Sequence, residues 1–375
     1  MCKIIRNEKI TNNPNLRGGR SILWPRPQIG HPSVERAWIY RPEHEWFYSH
    51  HPYITFFKGK WMAIWSNGLI GEDYPGQRVL VAKSGDGKTW SEPCPLMTPP
   101  LDAIGNETVL YAAGFHEYGG VLAAYVGMHE DGYVNTTVFA LTTGDGVTWS
   151  APKNLHVPVV PNHGPEKTAS GRLIIAGGVA FPYTDDPAGL QGWTMTGIYR
   201  PEILTTKDDP AEWTAVRAKK NWPTTLCEGS FYQTDDGILH MLLRSIGNDG
   251  LRLWMWLTES TDNGLTWSAP VETAFSNIDA KFHCGRLPDG RFYIVSNPIE
   301  GNRTPLVLSL SRDGYVFNER CILGEEHYEM RDRAGRSKEG EYGYPHTMIH
   351  EGYLYVIISR QKEAVEVLRV VLSDF

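Results

Sequence analysis

Long apolar runs are absent from this sequence. No stretch approaches the ~18 residues a membrane-spanning helix needs, so none is expected and no membrane partner is inferred. Extended Leu/Ala/Glu/Lys segments are missing too, which argues against a helical architecture. Cysteine is scarce: Cys2, Cys94, Cys227, Cys284 and Cys321 make an odd set of 5 with no CxxC spacing. Buried free thiols are expected, with neither a disulfide framework nor a zinc site. Basic residues are not in excess. The formal net charge is −7, which leaves no electrostatic footprint for nucleic acid. The segment Met1–Asn7 has no apolar core of a leader peptide. The expected compartment is cytoplasmic, or secreted or periplasmic where a leader has been removed.

The 375 residues contain 13 Trp, 18 Tyr, 38 Gly and 25 Pro, a composition of strands and turns. One turn repeats. Ser84-Gly85-Asp86-Gly87-Lys88-Thr89-Trp90 recurs as Thr143–Trp149 and, most fully, as Ser260–Trp267. Ser311–Phe317 is a worn copy and Thr206–Trp213 a more degenerate one. Their aspartates, at 86, 145, 208, 262 and 313, are 59, 63, 54 and 51 residues apart. That period suits one four-stranded propeller blade. Asp and Ser/Thr side chains cap nearby N–H groups, Gly supplies positive φ, and the closing Trp plugs between sheets.

These turns resemble the Asp-boxes of the sialidase superfamily over residues about 46–375. The resemblance implies an all-β, six-bladed, sialidase-like β-propeller. The last unit is one strand short, and Glu35–Tyr40 can complete it and close the ring. The expected organisation is one propeller domain over residues 1–375, with 1–45 an N-terminal segment that includes the closing strand. A seventh blade from 1–45 is the lesser alternative.

Antiparallel connectivity puts the start of strand 1 and the loop between strands 2 and 3 on the face opposite the boxes. His50, His51, Asn162, His163, Glu228, Lys281, His283, Tyr344 and His346 open first strands around the channel. Glu72, Asp73, Gln77, Arg78, His129, Arg200, Arg244, Asn248, Arg252 and Arg303 come from the loops. Core strand positions favour Val, Ile and Phe, so this polar ring points to a ligand site. Its Arg and His content suits an anion, because guanidinium forks grip carboxylates. The bland alternative, that such side chains satisfy neighbouring backbone or pair between blades, stands beside it for each residue.

Sialidases carry an Arg-Ile-Pro motif in blade one, two further arginines, an acid/base Asp, and a Tyr activated by Glu. Here His50-His51-Pro52 replaces that motif. Arg244 and Arg303 match the other arginines, and Tyr344 and Glu228 the Tyr–Glu pair. Asp73 is a candidate acid without a local motif behind it. The segments Trp46–His51, Trp65–Gly68 and Gly76–Arg78 also resemble propeller enzymes that remove terminal L-rhamnose from α-1,4-linked glucuronate. That resemblance implies an enzyme, a polysaccharide lyase or glycoside hydrolase, acting on an acidic oligosaccharide or polysaccharide. His50, His51, Tyr344 and His163 are then the proton carriers. Gln77, Arg78, Arg200, Glu228, Arg244, His283, Arg303 and His346 are the substrate-binding set. No cofactor is expected. Five histidines (50, 51, 163, 283 and 346) could surround a metal, but no local ligand spacing supports one. An exo-sialidase with a modified clamp and a non-catalytic glycan-binding propeller are the alternatives.

Overall fold

The computed structural model describes residues 22, 28–198, 225–246, 254–298 and 303–375. An N-terminal segment supplies β1 (Gln28–Gly30) and β2 (Val34–Tyr40). Six sheets then follow in sequence as the blades of a β-propeller. Blade 1 holds β3 (Tyr48–Phe57), β4 (Lys60–Gly68), β5 (Arg78–Ser84) and β6 (Cys94–Met97). Blade 2 holds β7 (Val109–Tyr118), β8 (Val121–His129), β9 (Thr137–Thr143) and β10 (Lys153–Asn154). Blade 3 shows β11 (His163–Lys167), β12 (Leu173–Ala176) and β13 (Tyr183–Thr184) among the described residues. Blade 4 holds β14 (Thr225–Gln233), β15 (Leu239–Ile246), β16 (Trp254–Ser260) and β17 (Val271–Ser276). Blade 5 holds β18 (His283–Arg286), β19 (Phe292–Ser296), β20 (Leu306–Ser311) and β21 (Phe317–Gly324). Blade 6 holds β22 (Gly343–His350), β23 (Tyr353–Arg360) and β24 (Ala364–Val371).

Blade 6 is completed by β2, which pairs antiparallel with β24 from Val34↔Val370 to Tyr40↔Val365. In the same segment β1 pairs in parallel with β21 of blade 5, and Ala274 N–H of blade 4 donates to Ile22 O. The N-terminal segment therefore runs along the outer edges of three blades. The ring has six seams, and each holds a hydrophobic cluster drawn from both neighbouring blades. Blades packed on both faces need strands that are apolar on both faces. Eight of the nine residues of β4 are buried for this reason.

The boxes form the turns after the third strands. In the first, Asp86 Oδ1 accepts from Lys88 N and Thr89 N at 2.8 Å, and Gly87 N–H donates to Ser84 Oγ at 2.8 Å. The pattern repeats at Asp145, Asp262 and Asp313. Gly87, Gly146, Gly264 and Gly314 of the boxes have φ between 71° and 85°, a region where a Cβ is costly. Trp267 is 8% exposed and packs on Phe181 across the seam between blades 3 and 4. The turn at 206–213 lies outside the described residues.

Two sequence expectations need correction. Cys94 is exposed and Cys227 only half-buried, while Cys284 and Cys321 are buried. Several first strands also begin before the residues expected to open them. Pairing in blade 4 starts at Thr225, ahead of Glu228, and a β-bulge between Cys227 and Ser230 interrupts the ladder.

Candidate active site

Bulges position the chemistry. The first strands of blades 1, 4 and 6 each break register near the channel mouth, between His50 and Tyr53, Cys227 and Ser230, and Gly343 and His346. One residue in each break takes a left-handed backbone: His51 (φ 52°), Glu228 (φ 48°) and Tyr344 (φ 54°). Asp73, Arg303, Ser337 and Lys362 have positive φ as well. A non-glycine residue there costs about 1–3 kcal/mol, a strain that recurs where side chains must be aimed. Simple alternation would face His50 and His51 apart. The bulge instead puts both rings against Tyr344, with centroids 3.9 and 5.3 Å from it and 4.6 Å from each other.

Two adjoining cavities open on the face opposite the boxes. The smaller, about 530 Å³, is polar and includes Asp279, Arg303 and Lys362 in its wall. The larger, about 690 Å³, includes His51, Asp73, Tyr111, Tyr133 and Lys281. Glu72, Arg244, Ser337 and Tyr344 line both. The stretch between β21 and β22 forms part of the wall. Glu363 fixes it by accepting from Tyr328 Oη, Arg331 N and Asp332 N.

At the junction, Arg244 donates from Nη1 to Glu228 and, at 2.9 Å, to the Tyr344 hydroxyl oxygen, while its other nitrogens bind Asp279. Burial pushes the Glu228 carboxyl up, but Arg244 and Tyr344 outweigh it and lower it to about 2. Burial, reinforced by Glu228, holds the Tyr344 phenol well above its ordinary range, so it is protonated. Burial lowers His51 to about 4, so its imidazole is neutral at pH 7. His50 is fully buried, and its desolvation holds it well below its ordinary value. Its Nδ1 bonds Ser359 Oγ at 2.7 Å, and Ser359 passes its own proton to Gly343 O. That leaves His50 with a proton on Nδ1 and a bare Nε2. Asp73 is pushed up by burial, yet His129 and Tyr133 bring it to about 2.

Five other sequence candidates do not reach the cavities. His163 donates from Nε2 to Phe282 O at 2.9 Å. His283 accepts from Thr347 N at Nδ1 and meets Glu166 with Nε2. His346 Nδ1 accepts from Ile54 N. These three rings cluster in the channel, tilted against one another and 4.6 to 6.1 Å apart, and tie blade 3 to blade 5, blade 5 to blade 6 and blade 6 to blade 1. Gln77 ties the loop before β5 to Leu110 O and Asp73 N. Arg78 lies on the Trp46 ring at 3.5 Å and donates to Asn67. All five are engaged in structure, not aimed at a ligand. Arg200, Asn248 and Arg252 lie outside the described residues. Of the substrate and proton-carrying set, His51, Glu228, Arg244, Arg303 and Tyr344 converge on the cavities, with His50 directly behind them.

Lys362, Tyr111, Tyr133 and Ser337 were not anticipated as cavity residues. Lys362 sits between the second and third strands of blade 6, so the rule that finds Arg244 also reaches it. Among the described residues, two groups have the donor set for a metal: His50, His51 and Glu72, and His163, Glu166 and His283. In the first, both Nε2 atoms lie 4.0 Å from Glu72 Oε1, but Tyr48 donates to that oxygen and Lys362 pairs with Oε2 at 2.8 Å. In the second, His283 Nδ1 takes a backbone proton, so the ring carries its own proton on Nε2, toward Glu166. Neither set is a ready metal seat.

Comparison with known proteins agrees with the fold. No curated protein matches the sequence. Among solved structures, a Dyadobacter fermentans protein of unknown function superimposes with TM-score 0.64 at 17% identity, covering 90% of this chain and 100% of that one. A Trypanosoma rangeli sialidase, solved as a covalent intermediate with 2,3-difluorosialic acid, gives TM-score 0.64 at 13% identity over 92% of this chain and 60% of the enzyme. A Penicillium chrysogenum α-L-arabinanase bound to arabinobiose gives TM-score 0.54 at 15% identity, covering 91% and 99%. At such identities the likeness is one of fold. In sequence, a family model matches residues 59–356, which takes in all four described boxes and all or part of every blade: the chain belongs to the BNR repeat-like domain family.

Proposed function

We propose that this protein is a carbohydrate-active enzyme that cleaves an acidic glycan by β-elimination at a uronate, releasing the sugar linked to its O4. L-Rhamnose-α-1,4-D-glucuronate is the substrate we favour. The observation that carries this reading is the pairing of a neutral His51 with a protonated Tyr344, ring centroids 5.3 Å apart, beside Arg244 and Arg303. Elimination needs a base for the proton on C5, an acid for the departing O4, and positive charge for the carboxylate as the carbanion develops. His51 takes the C5 proton, the C4–O4 bond breaks as the C4–C5 double bond forms, and Tyr344 gives its proton to the leaving oxygen. Both groups rest in the protonation state their role requires. Sialidase and arabinanase neighbours support the assignment to glycan chemistry in general.

A second reading has its own support. Glu228 lies within hydrogen-bonding reach of the Tyr344 hydroxyl, and this suits a tyrosine nucleophile in a hydrolase. It requires Tyr344 to ionise and Asp73 to gain a proton, each against its resting state.

The test is a panel of rhamnosyl-glucuronate, glucuronide and sialoside oligosaccharides read by mass and ultraviolet absorbance. An unsaturated uronate product is expected. A hydrated product, with Tyr344 trapped by a fluorinated sugar, transfers the case to the hydrolase. No turnover of any member defeats both.

A further inference from the structure

Among the described residues five cations line the two cavities, and four of them bind a carboxylate or a backbone carbonyl. Arg244 is ion-paired with Glu228 and Asp279, and Lys362 with Glu72. Arg336 donates to the carbonyls of Glu72 and Asp73, and Arg303 to that of Asp279. Lys281 differs. It lies two residues before β18, is 2% exposed, and lines the larger cavity. Its Nζ donates to the Tyr53 hydroxyl at 2.5 Å, and Tyr53 passes its proton to Asn162 O. No carboxylate of the described residues lies within ion-pair distance of it. An ammonium in such a place is expensive, and buried charges are normally paired. Its Nζ lies 5.4 Å from the Tyr344 ring, and the Arg303 guanidinium lies 5.3 Å from that same ring.

We propose that Lys281 is the seat for the anionic group of the ligand, its Nζ pairing with a sugar carboxylate that enters the larger cavity. This deepens the reading above by naming a residue that selects acidic over neutral sugars. Arg303, whose guanidinium also lies beside the Tyr344 ring, lines the adjoining smaller cavity. The rings of His50 and His51, just above in blade 1, are neutral and offer the anion no competing charge. Beyond Tyr53 and Tyr344, the titratable neighbours are Glu228 of blade 4, Glu166 and His163 of blade 3, and His346 of blade 6. Both carboxylates act on Lys281 only at longer range. Burial, partly offset by Glu228 and Glu166, lowers the free ammonium to about 7. A bound carboxylate stabilises its protonated form, so binding above pH 7 takes up a proton.

Calorimetry with D-glucuronate and N-acetylneuraminate, and methyl D-glucoside as neutral control, tests the assignment without turnover. Lys281→Met is expected to weaken the preferred acid by about thirtyfold or more, as loss of a buried ionic partner does, and to leave the neutral sugar unaffected. At pH 8 the wild-type binding heat should vary with the ionisation heat of the buffer, and in Lys281→Met that variation should vanish. Lys281→Arg should recover part of the affinity. The melting temperature of Lys281→Met should be equal or higher, because an unpaired buried charge has gone. Unchanged acid binding by Lys281→Met overturns the proposal, as does a lowered melting temperature, which would mark a structural lysine. Failure of wild type to bind either acid also overturns it. An active enzyme whose acid binding ignores Lys281 defeats only this inference. A protein that binds acids through Lys281 without cleaving any glycan defeats only the proposed reaction.

Discussion

Replacing His51 by glutamine separates the two chemical readings. The amide keeps the ring's volume roughly and can still bond Ser66 Oγ, which His51 Nδ1 meets at 3.0 Å. It cannot accept a proton at any working pH. A positioned base contributes about 10²–10⁴ in rate, or about 3–5 kcal/mol of barrier. The expected result is that loss in kcat with KM little changed. In wild type, kcat/KM should also fall tenfold per pH unit below about 4, where His51 becomes protonated. That acid limb should disappear in the variant's residual activity. Tyr344→Phe should lose a similar factor in rate. It also strips Arg244 of one acceptor, an added cost of about 1–3 kcal/mol in stability. Because both groups serve one elimination step, the double variant should fall well short of the product of the single effects. The assay is steady-state turnover of whichever panel member yields the unsaturated product. A His51→Gln enzyme keeping more than about a tenth of wild-type kcat, beside an inert Glu228→Gln, would refute the argument and favour a tyrosine nucleophile.

Acid should destabilise the fold through its histidines. His50, His51, His163 and His346 are all lowered below the ordinary 6.5 by burial, so the unfolded chain binds protons that the folded one refuses. Their contribution is complete above pH 6.5 and is lost as pH falls toward 4, at about 1.4 kcal/mol per pH unit for each group. Melting temperatures measured across that window should fall, and His346→Asn should flatten the slope by one group's share. His283→Ala should cost about 1–3 kcal/mol in denaturant unfolding, since Thr347 N and Glu166 each lose a partner, with KM unchanged. A raised KM without lost stability would return His283 to the substrate set. Dialysis against a chelator should leave activity and melting unaltered, because Lys362 already neutralises Glu72; loss restored by one divalent metal would contradict this.

The boxes were legible because their chemistry is local: five or so consecutive residues satisfy one another. The face that holds the cavities was legible because strand connectivity fixes which loops share a rim, and this sufficed to place Glu228, Arg244, Arg303 and Tyr344 on it. Contacts across seams were not. Nothing near His163 or His283 in sequence announces Phe282 O or Thr347 N as partners, so rings that latch blades looked like rings that bind a ligand. Arg78 misled similarly, as its guanidinium is spent on Trp46 and Asn67. Lys281 belonged to the polar ring but carried no motif. Its interest lies in having no carboxylate beside it, which only the folded arrangement reveals. The orientation of His50 and His51 failed at a bulge, a one-residue irregularity that periodicity does not encode.

The pairing of β2 with β24 has a consequence for biosynthesis. Arg36 and Glu366, which meet across this junction, are 330 residues apart. Closing so long a loop costs about 5 kcal/mol in chain entropy by logarithmic scaling. The strand that completes the ring leaves the ribosome before any strand of the six blades it joins, and it must remain unpaired until β24, more than 300 residues later, has followed. Over that interval blades 1 to 5 can form while β2 offers a bare edge to any other strand. A circular permutant joined from residue 375 to residue 1 and opened between β6 and β7 would let every blade take its strands from one continuous stretch. Its refolding yield, compared with that of the natural order, measures what the long wait costs.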